Sequence, residues 1–323
     1  AALNSSGVSG AVTFDVVQGT YSERFILNAI TGTSVTNTIT FRPAVTNTAA
    51  VILTSAATGS ANNYVIRFNG ADYVTVEGLD ISNTGTTYCR VIDFLGANTN
   101  VTLRNNSLTS PITNSTSTLR CVVYNGTGTG NMNNNFTLDG NVLTGGSYSL
   151  YLRGGTTTVL ESNNQILNNE FRDFYYMGLY CYYQTGCVID GNEVIANPGV
   201  YSTNYGLYLY YFDFGRVTNN KINVQATSTN YGIRMNYNDG SAGNPGVLAN
   251  NMIYCGNNTG TTYGLYFYYN RYQDIYHNSI NITGSTSTAK RGIYFASSTS
   301  STTYTGINVN NNIVANMAGG YAF

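Results

Sequence analysis

One repeated pattern, apolar-x-x-Asn-x-apolar, constrains the fold of this chain more than any other feature. Its asparagines are Asn106, Asn141, Asn169, Asn192, Asn220, Asn251, Asn278 and Asn312. Residues 76–81 fit the same frame with Leu79 in place of the asparagine. Successive asparagines lie 23 to 35 residues apart, which is too irregular for a helical repeat array but normal for a unit whose turns vary in length.

Each repeat contains two or three short strand signals separated by clusters of Gly, Asn, Ser and Thr, with no helical stretch between them. Strands that recur in this way and stack on their own successors form a parallel β-helix. We therefore predict an all-β parallel β-helix of about nine to ten coils, with residues 1–323 in one domain. The asparagines are expected to adopt left-handed backbone conformations at a turn and to form an internal ladder of side-chain amides.

A second repeated stretch places tyrosine on alternate residues of one strand. It reads GLYCYY from Gly178, GLYLYY from Gly206, GIRMNY from Gly232, GLYFYY from Gly264 and GIYFAS from Gly292. Because strand side chains alternate, one set should fill the core and the other should point outward. The outward set is predicted to form a flat, exposed panel two columns wide that binds a ligand. Its residues are Tyr151, Arg153, Tyr180, Tyr182, Tyr208, Tyr210, Arg234, Tyr266, Tyr268 and Tyr294.

Such a panel has two interpretations. Tyrosine stacks well on itself in a sheet, so the rings could serve stability alone. Exposed aromatic patches, however, mark binding sites, and tyrosine offers a flat apolar face to sugar C–H groups and a hydroxyl to sugar hydroxyls. Arg153 and Arg234 would suit a carboxylate or sulfate. We therefore expect the partner to be a polysaccharide or a cell-surface glycan.

Charge and cysteine content exclude several other functions. The chain has 14 Lys plus Arg against 15 Asp plus Glu, so no basic surface is expected for nucleic acid or an anionic membrane. No apolar run is long enough for membrane insertion. Five cysteines lack metal-ligand spacing and are expected as small core residues, at positions Cys89, Cys121, Cys181, Cys187 and Cys255. Of these, Cys181 and Cys187 are the pair expected to be close, and a disulfide between them stays open.

Catalytic candidates are few. Asp139 and Asp190 both precede Gly-Asn at the same turn, two coils apart, where a turn role explains them equally well. Asp213, after a tyrosine strand, is the first candidate for a catalytic or calcium-binding acid. The single histidine, His277, lies next to the asparagine column and is expected at a turn or on the surface. We assign no catalytic residue and no metal site, and an ice-binding face is a further alternative that the absence of regular threonine ladders disfavours.

Two segments carry a family resemblance, GTYSERFILNAITGTSVTNTITFRP at 19–43 and YVIRFNGADYVTVEGLDISN at 64–83. They resemble the first coils of right-handed parallel β-helix proteins of the pectin-lyase-like superfamily. In particular they are similar to secreted Bacteroidetes surface proteins and, more distantly, to the chondroitinase B and alginate lyase group. The resemblance implies a right-handed helix, export by the type IX secretion route, an extracellular or cell-surface location and carbohydrate contact.

The lyases of that group use a Lys and Arg pair with calcium held by acidic residues. The two lysines here, Lys221 and Lys290, lie outside any matched motif, so this chemistry is not carried over. No cofactor is assigned, and calcium is the one left open. The hypothesis is therefore an adhesin or glycan-binding module, with a polysaccharide lyase or glycoside hydrolase as the alternative. We expect the chain to be a fragment of a longer surface protein with further domains.

Overall fold

Three parallel sheets wind around one axis for about ten turns, with almost no helix, as the repeat predicts. The computed structural model describes residues 2–126, 128–196, 198–199, 201–256, 259–296 and 304–323. Each strand pairs in parallel with the equivalent strand of the next coil. Ten steps between the eleven strands of one sheet give a rod of roughly 48 Å at ~4.8 Å per step.

Within the described residues each sheet has eleven strands. The first sheet consists of Val12–Val16, Ile39–Pro43, Val74–Glu77, Thr102–Arg104, Thr137–Asp139, Gln165–Leu167, Val188–Asp190, Arg216–Thr218, Gly246–Ala249, Gln273–Tyr276 and Ile307–Asn310. The second consists of Gly19–Ser22, Val51–Ser55, Asp80–Asn83, Ser107–Thr109, Val142–Thr144, Glu170–Phe174, Glu193–Ala196, Lys221–Val224, Met252–Cys255, Ser279–Ile282 and Ile313–Asn316.

The third sheet consists of Phe25–Asn28, Ile66–Asn69, Ile92–Leu95, Val123–Asn125, Tyr148–Arg153, Met177–Thr185, Thr203–Asp213, Thr229–Asn236, Thr262–Tyr268 and Lys290–Phe295, with Glu161–Ser162 beside Met177–Thr185. A short pair, Asn98–Thr99 and Asn133–Asn134, bridges one corner. The helical segments are Ala2–Ser6, Ser60–Asn62 and Thr118–Arg120. None of the helices in the described segments is long and apolar enough to cross a membrane.

The core is one continuous apolar cluster enclosed by the three sheets. In the tyrosine strands the inward positions are those that alternation predicts: Leu207 and Leu209, for example, are both 0% exposed. The five cysteines are all buried free thiols, and Cys181 and Cys187 both face the core. The thiols therefore serve as small core side chains, without a disulfide between them.

The asparagine column forms the predicted ladder. Each side-chain Nδ2 donates to the Oδ1 of the next coil at 2.9–3.0 Å through seven consecutive steps from Asn106 to Asn312. The expected left-handed conformation of these asparagines is wrong by one position. It belongs to the preceding residue, for example Asn219 (φ 58°), Asn250 (φ 57°) and His277 (φ 57°). That residue makes the turn, and the ladder asparagine that follows it points inward.

The glycine that opens each tyrosine stretch is required by close packing between coils. A Cβ at Gly206 would lie 2.5 Å from the carbonyl oxygen of Gly232 and 2.4 Å from Cγ2 of Ile222. The same clash with a backbone oxygen recurs along the column at 2.5–2.7 Å, at Gly178, Gly206, Gly232, Gly264 and Gly292. Any side chain at these positions would push two coils apart.

We expect Gly206→Ala to lower the free energy of unfolding by about 1–3 kcal/mol, because the methyl group must displace backbone. The matched control is Gly243→Ala, since a Cβ at Gly243 meets nothing within 4 Å and should change stability by less than about 0.5 kcal/mol. Denaturant unfolding followed by circular dichroism measures both. Equal stability of the two variants would contradict the packing argument.

A buried polar cluster interrupts the apolar core at one corner of the third sheet. The Glu161 side chain is 0% exposed and accepts hydrogen bonds from Nε2 of Gln184 at 2.7 Å, from the backbone N–H of Asn133 at 2.8 Å and from Nδ2 of Asn125. Burial raises the pKa of Glu161 from 4.5 to about 8, although these donors oppose the shift. The ionised carboxylate is therefore costly to hold in the folded state.

Candidate functional site

The tyrosine face is the outward surface of the third sheet from Val123–Asn125 to Lys290–Phe295. Its central column holds Tyr124, Tyr151, Tyr180, Tyr208, Arg234, Tyr266 and Tyr294 in direct register. The adjacent column holds Arg153, Tyr182, Tyr210, Asn236 and Tyr268. The structure thus brings together on one surface all ten residues that alternation assigned to the panel.

The surface is neither flat nor fully exposed, which corrects the prediction. Of the ten predicted ligand-binding residues, Tyr151 is only 8% exposed and the other nine are half-buried. Asn236, which lies among them, is only 4% exposed. The rings of Tyr180 and Tyr208 meet edge to face, with centroids 5.4 Å apart and planes at 76°. Aromatic rings prefer such tilted contacts to parallel sandwiches. The face is therefore a corrugated surface of alternating ring edges and ring faces.

A third tyrosine column, which strand alternation did not predict, flanks the central one. It contains Tyr148, Met177, Tyr205, Tyr231, Tyr263 and Arg291. The ring of Tyr205 lies 5.4 Å from that of Tyr208 and 4.6 Å from that of Tyr231, parallel to the latter within 2°. From Met177 onward these residues immediately precede the column glycines, where strict alternation breaks down. The Tyr-Gly pairs in NYGLY, NYGIR and TYGLY were the sequence signal for this column.

A fourth column edges the other side of the face and consists of tyrosines in the left-handed backbone conformation. They are Tyr183 (φ 60°), Tyr211 (φ 49°), Tyr237 (φ 54°) and Tyr269 (φ 55°). Their rings stack from coil to coil, with centroids 5.1–5.6 Å apart. Left-handed backbone is uncommon for a bulky residue. Its recurrence on four successive coils is therefore a constraint on this turn, and the stacking of the tyrosine rings accompanies it.

Arg234 occupies the centre of the face. Its guanidinium carbon lies 4.9 Å from the ring centroid of Tyr208, 5.1 Å from that of Tyr231 and 5.0 Å from that of Tyr266. Arg153 lies similarly over Tyr182, at 4.8 Å. Among the described residues no carboxylate is within 4.0 Å of either guanidinium. Ring faces, rather than counter-charges, hold these two cations in place.

The hydroxyls on this face stay protonated near neutral pH. Burial raises the pKa of Tyr208 to about 12, although the nearby Arg234 cation opposes the shift. Burial likewise raises the pKa of Tyr176, whose ring packs edge to face against that of Tyr205, to about 12. A phenol in this state both donates and accepts hydrogen bonds. The face therefore offers neutral hydroxyls, apolar rings and guanidinium groups.

One carboxylate that the sequence did not indicate as a site residue lies at the N-terminal end of the central column. Asp93 is in register with Tyr124 and is 3% exposed. It accepts from Nε of Arg67 at 2.7 Å and from a terminal nitrogen of Arg90 at 3.0 Å. Arg90 in turn covers the Tyr124 ring at 3.3 Å. Two arginines therefore neutralise this carboxylate and place it beneath the surface.

The other candidate residues lie elsewhere. Asp139 and Asp190 are on the first sheet, two coils apart, and each accepts from a turn asparagine of the next coil, as a structural role requires. Asp213 ends the strand Thr203–Asp213 and accepts from the backbone N–H of Asp239 at 2.9 Å. Burial raises the pKa of Asp213 to about 6. His277 occupies the ladder turn.

The architecture and its side-chain ladders define the fold class of this protein. An all-β chain whose three parallel sheets wind as a single solenoid is a parallel β-helix, here of the right-handed, pectin-lyase-like type. The chain belongs to the NosD family: the family model described as "Periplasmic copper-binding protein (NosD)" matches residues 111–306, which is more than half of the sequence. A comparison with curated proteins found no match.

Solved structures with the same fold include enzymes and an adhesin. The GH136 lacto-N-biosidase from Eubacterium ramulus has a TM-score of 0.55 at 13% identity, covering 98% of this chain and 64% of that one. PfbA, a surface adhesin of Streptococcus pneumoniae, has a TM-score of 0.51 at 13% identity, covering 95% and 83%. The periplasmic alginate epimerase AlgG has a TM-score of 0.51 at 10% identity, covering 86% and 70%. This chain thus spans less than two thirds of the lacto-N-biosidase, and the likeness concerns the fold alone.

The family description names copper, but the histidine, cysteine and carboxylate side chains that the structure describes are not gathered into a site for that metal. Protein copper sites use imidazole, thiolate or thioether ligands. In the part of the chain that the structure describes, no three His, Cys, Asp or Glu side chains lie close enough to share a metal ion. The cysteines are all buried in the core, and His277 stands at a turn. We assign no role to copper.

Proposed function

We propose that this protein is an exported β-helix module that binds a glycan on its tyrosine face, in the manner of a cell-surface adhesin. The observation that carries the proposal is the unbroken array of half-buried tyrosines and arginines over seven consecutive coils of one sheet. Stability alone would be served by ladders of smaller side chains. The array instead presents ring faces and neutral hydroxyls, which suit sugar C–H groups and sugar hydroxyls.

Two further points support a glycan partner. The columns run along the helix axis, so the surface matches an extended chain rather than a compact ligand. Proteins with this fold include the surface adhesin PfbA, a lacto-N-biosidase and an alginate epimerase. A cell-surface or extracellular location, the type IX route and a Bacteroidetes source belong to the same proposal.

The test is binding to a glycan array and to immobilised polysaccharides, followed by substitution. We expect Tyr208→Ala with Tyr210→Ala to weaken binding roughly thirtyfold or more, since truncating even one tyrosine at the centre of an interface costs about 2 kcal/mol. The matched control is Tyr254→Ala with Tyr276→Ala, two tyrosines on the second and first sheets. Circular dichroism checks that both variants keep the fold. Unchanged binding by the first variant would refute the role of the face.

The alternative is a polysaccharide lyase or glycoside hydrolase. Asp213 favours it, because a carboxyl whose pKa is about 6 can act as a general acid near neutral pH, and this one ends a strand of the tyrosine face. Incubating a bound polysaccharide with the protein and measuring new reducing ends or unsaturated uronate separates the two functions. Cleavage that Asp213→Asn abolishes, with binding intact, would favour the enzyme.

A further inference from the structure

Three arginines on the tyrosine face lack a counter-charge. Within the described residues, Arg153, Arg234 and Arg291 have no carboxylate within 4.0 Å. At the first end of the same face, by contrast, Arg67 and Arg90 both pair with Asp93. The acid of the central column is thus already neutralised, and the remaining guanidinium groups give this surface local positive charge on a chain whose net charge is −1.

These arginines lie at intervals along the helix axis, each in a different column of the face. Arg153 and Arg234 are on strands three coils apart, and Arg291 is two coils beyond Arg234. At ~4.8 Å per coil the axial intervals are roughly 14 Å and 10 Å. A small ligand cannot reach all three, but an extended chain with repeated anionic groups can.

The guanidinium groups also keep unused donors. A guanidinium has five N–H donors. Nε of Arg234 donates to Oδ1 of Asn236 at 3.3 Å, and one terminal nitrogen reaches the Tyr205 hydroxyl at 3.5 Å. The neighbouring rings fix the planes of these groups, which leaves preoriented donors for a planar anion.

We propose that the ligand of the tyrosine face is a polyanionic glycan that crosses the three columns obliquely as it follows the helix axis, with its carboxylate or sulfate groups on Arg153, Arg234 and Arg291. The inference rests on the proposed glycan-binding function and adds the chemical class of the ligand. Rings contact the sugar faces between the charged groups, and the arginines set the preference for anionic over neutral chains.

Three polymers with one backbone test the proposal: dextran, carboxymethyl dextran and dextran sulfate. We expect both charged polymers to bind more tightly than dextran at about 0.1 M salt and to lose most of that advantage at about 1 M, where the Debye length falls to ~3 Å. The variant with Arg153→Gln, Arg234→Gln and Arg291→Gln should bind them at least about tenfold more weakly, because the loss of only one charged hydrogen bond already costs about 1.4 kcal/mol.

The control is Arg216→Gln, an exposed arginine on the first sheet, which should change nothing. Arg234→Lys keeps the charge but loses the planar fork, and it should give intermediate binding even if the triple variant folds poorly. Equal, salt-insensitive binding of charged and neutral polymers would overturn the anionic preference while leaving glycan binding intact. So would charged-polymer binding that the triple variant retains. Absence of binding to every glycan on the array would instead defeat the function on which the inference rests.

Discussion

Asn251→Leu is expected to lower the free energy of unfolding by about 4 kcal/mol, because several buried groups each lose a partner at 1–3 kcal/mol apiece. Nδ2 of Asn251 donates to the carbonyl of Val217 and to Oδ1 of Asn278, both at 2.9 Å. Its Oδ1 accepts from the backbone N–H and from Nδ2 of Asn220, at 3.1 and 2.9 Å. Leucine has similar volume but satisfies none of these groups, and they stay buried because the site is 0% exposed.

The neighbouring residue provides the control. Asn250 is exposed and left-handed, with φ 57°, so Asn250→Gly keeps the turn and should change stability by only a few tenths of a kcal/mol. Denaturant titration of both variants measures the difference. Because coils in a solenoid unfold semi-independently, hydrogen exchange on the flanking coils should show whether the loss is local. A small effect of Asn251→Leu would mean that the ladder is not a stabilising element.

Leu79 shows why the ladder was predictable in outline. It occupies the ladder position of an early coil, where its backbone N–H donates to Oδ1 of Asn106 at 3.0 Å. The repeat therefore identified the column, since inward position and spacing follow from sequence. The backbone conformation was misassigned by one residue, because Asn219 and Asn250 also stand in the turn and composition does not say which of two adjacent asparagines is left-handed.

The tyrosine face was predictable in part for a similar reason. Alternation placed Tyr180 and Tyr208 outward and in register, which the structure confirms. It could not place Tyr205 among them, because the chain departs from alternation at Gly206. The clash between a Cβ there and the next coil is a tertiary contact that the sequence does not reveal.

Charge on the face depends on contacts between distant residues. Asp93 and Arg67 are 26 residues apart and meet only because successive coils stack in register. Sequence position alone therefore could not show that this acid is neutralised while Arg234 is not. Asp93 is paired at one end of the face, whereas Arg234 has no counter-charge among the residues that the structure describes. This difference is the reason to expect an anionic ligand, and only the coil register reveals it.

Stability of the protein is expected to fall as pH rises from about 4.5 to about 8, through the buried carboxyl of Glu161. Its pKa is raised from 4.5 to about 8 by burial, so over this window the unfolded chain releases a proton that the folded chain retains. The folded state then binds more protons, and the free energy of unfolding decreases with pH, by an amount on the order of 4 kcal/mol across the window. Above about 8 both states are ionised and the contribution of this group becomes constant.

Glu161→Gln removes the titration while keeping the shape of the side chain. We expect the free energy of unfolding of this variant, measured by denaturant titration at intervals between about pH 5 and 8.5, to lose most of the slope that the parent shows. The absolute stability of the variant is less informative, because one oxygen that accepts from Gln184 becomes an amide donor. Glu193→Gln, at an exposed acid on the second sheet, controls for loss of a charge and should leave the slope intact. An identical pH slope in the parent and in Glu161→Gln would show that the carboxyl is already ionised in the folded state, stabilised by the donors of Asn125, Asn133 and Gln184.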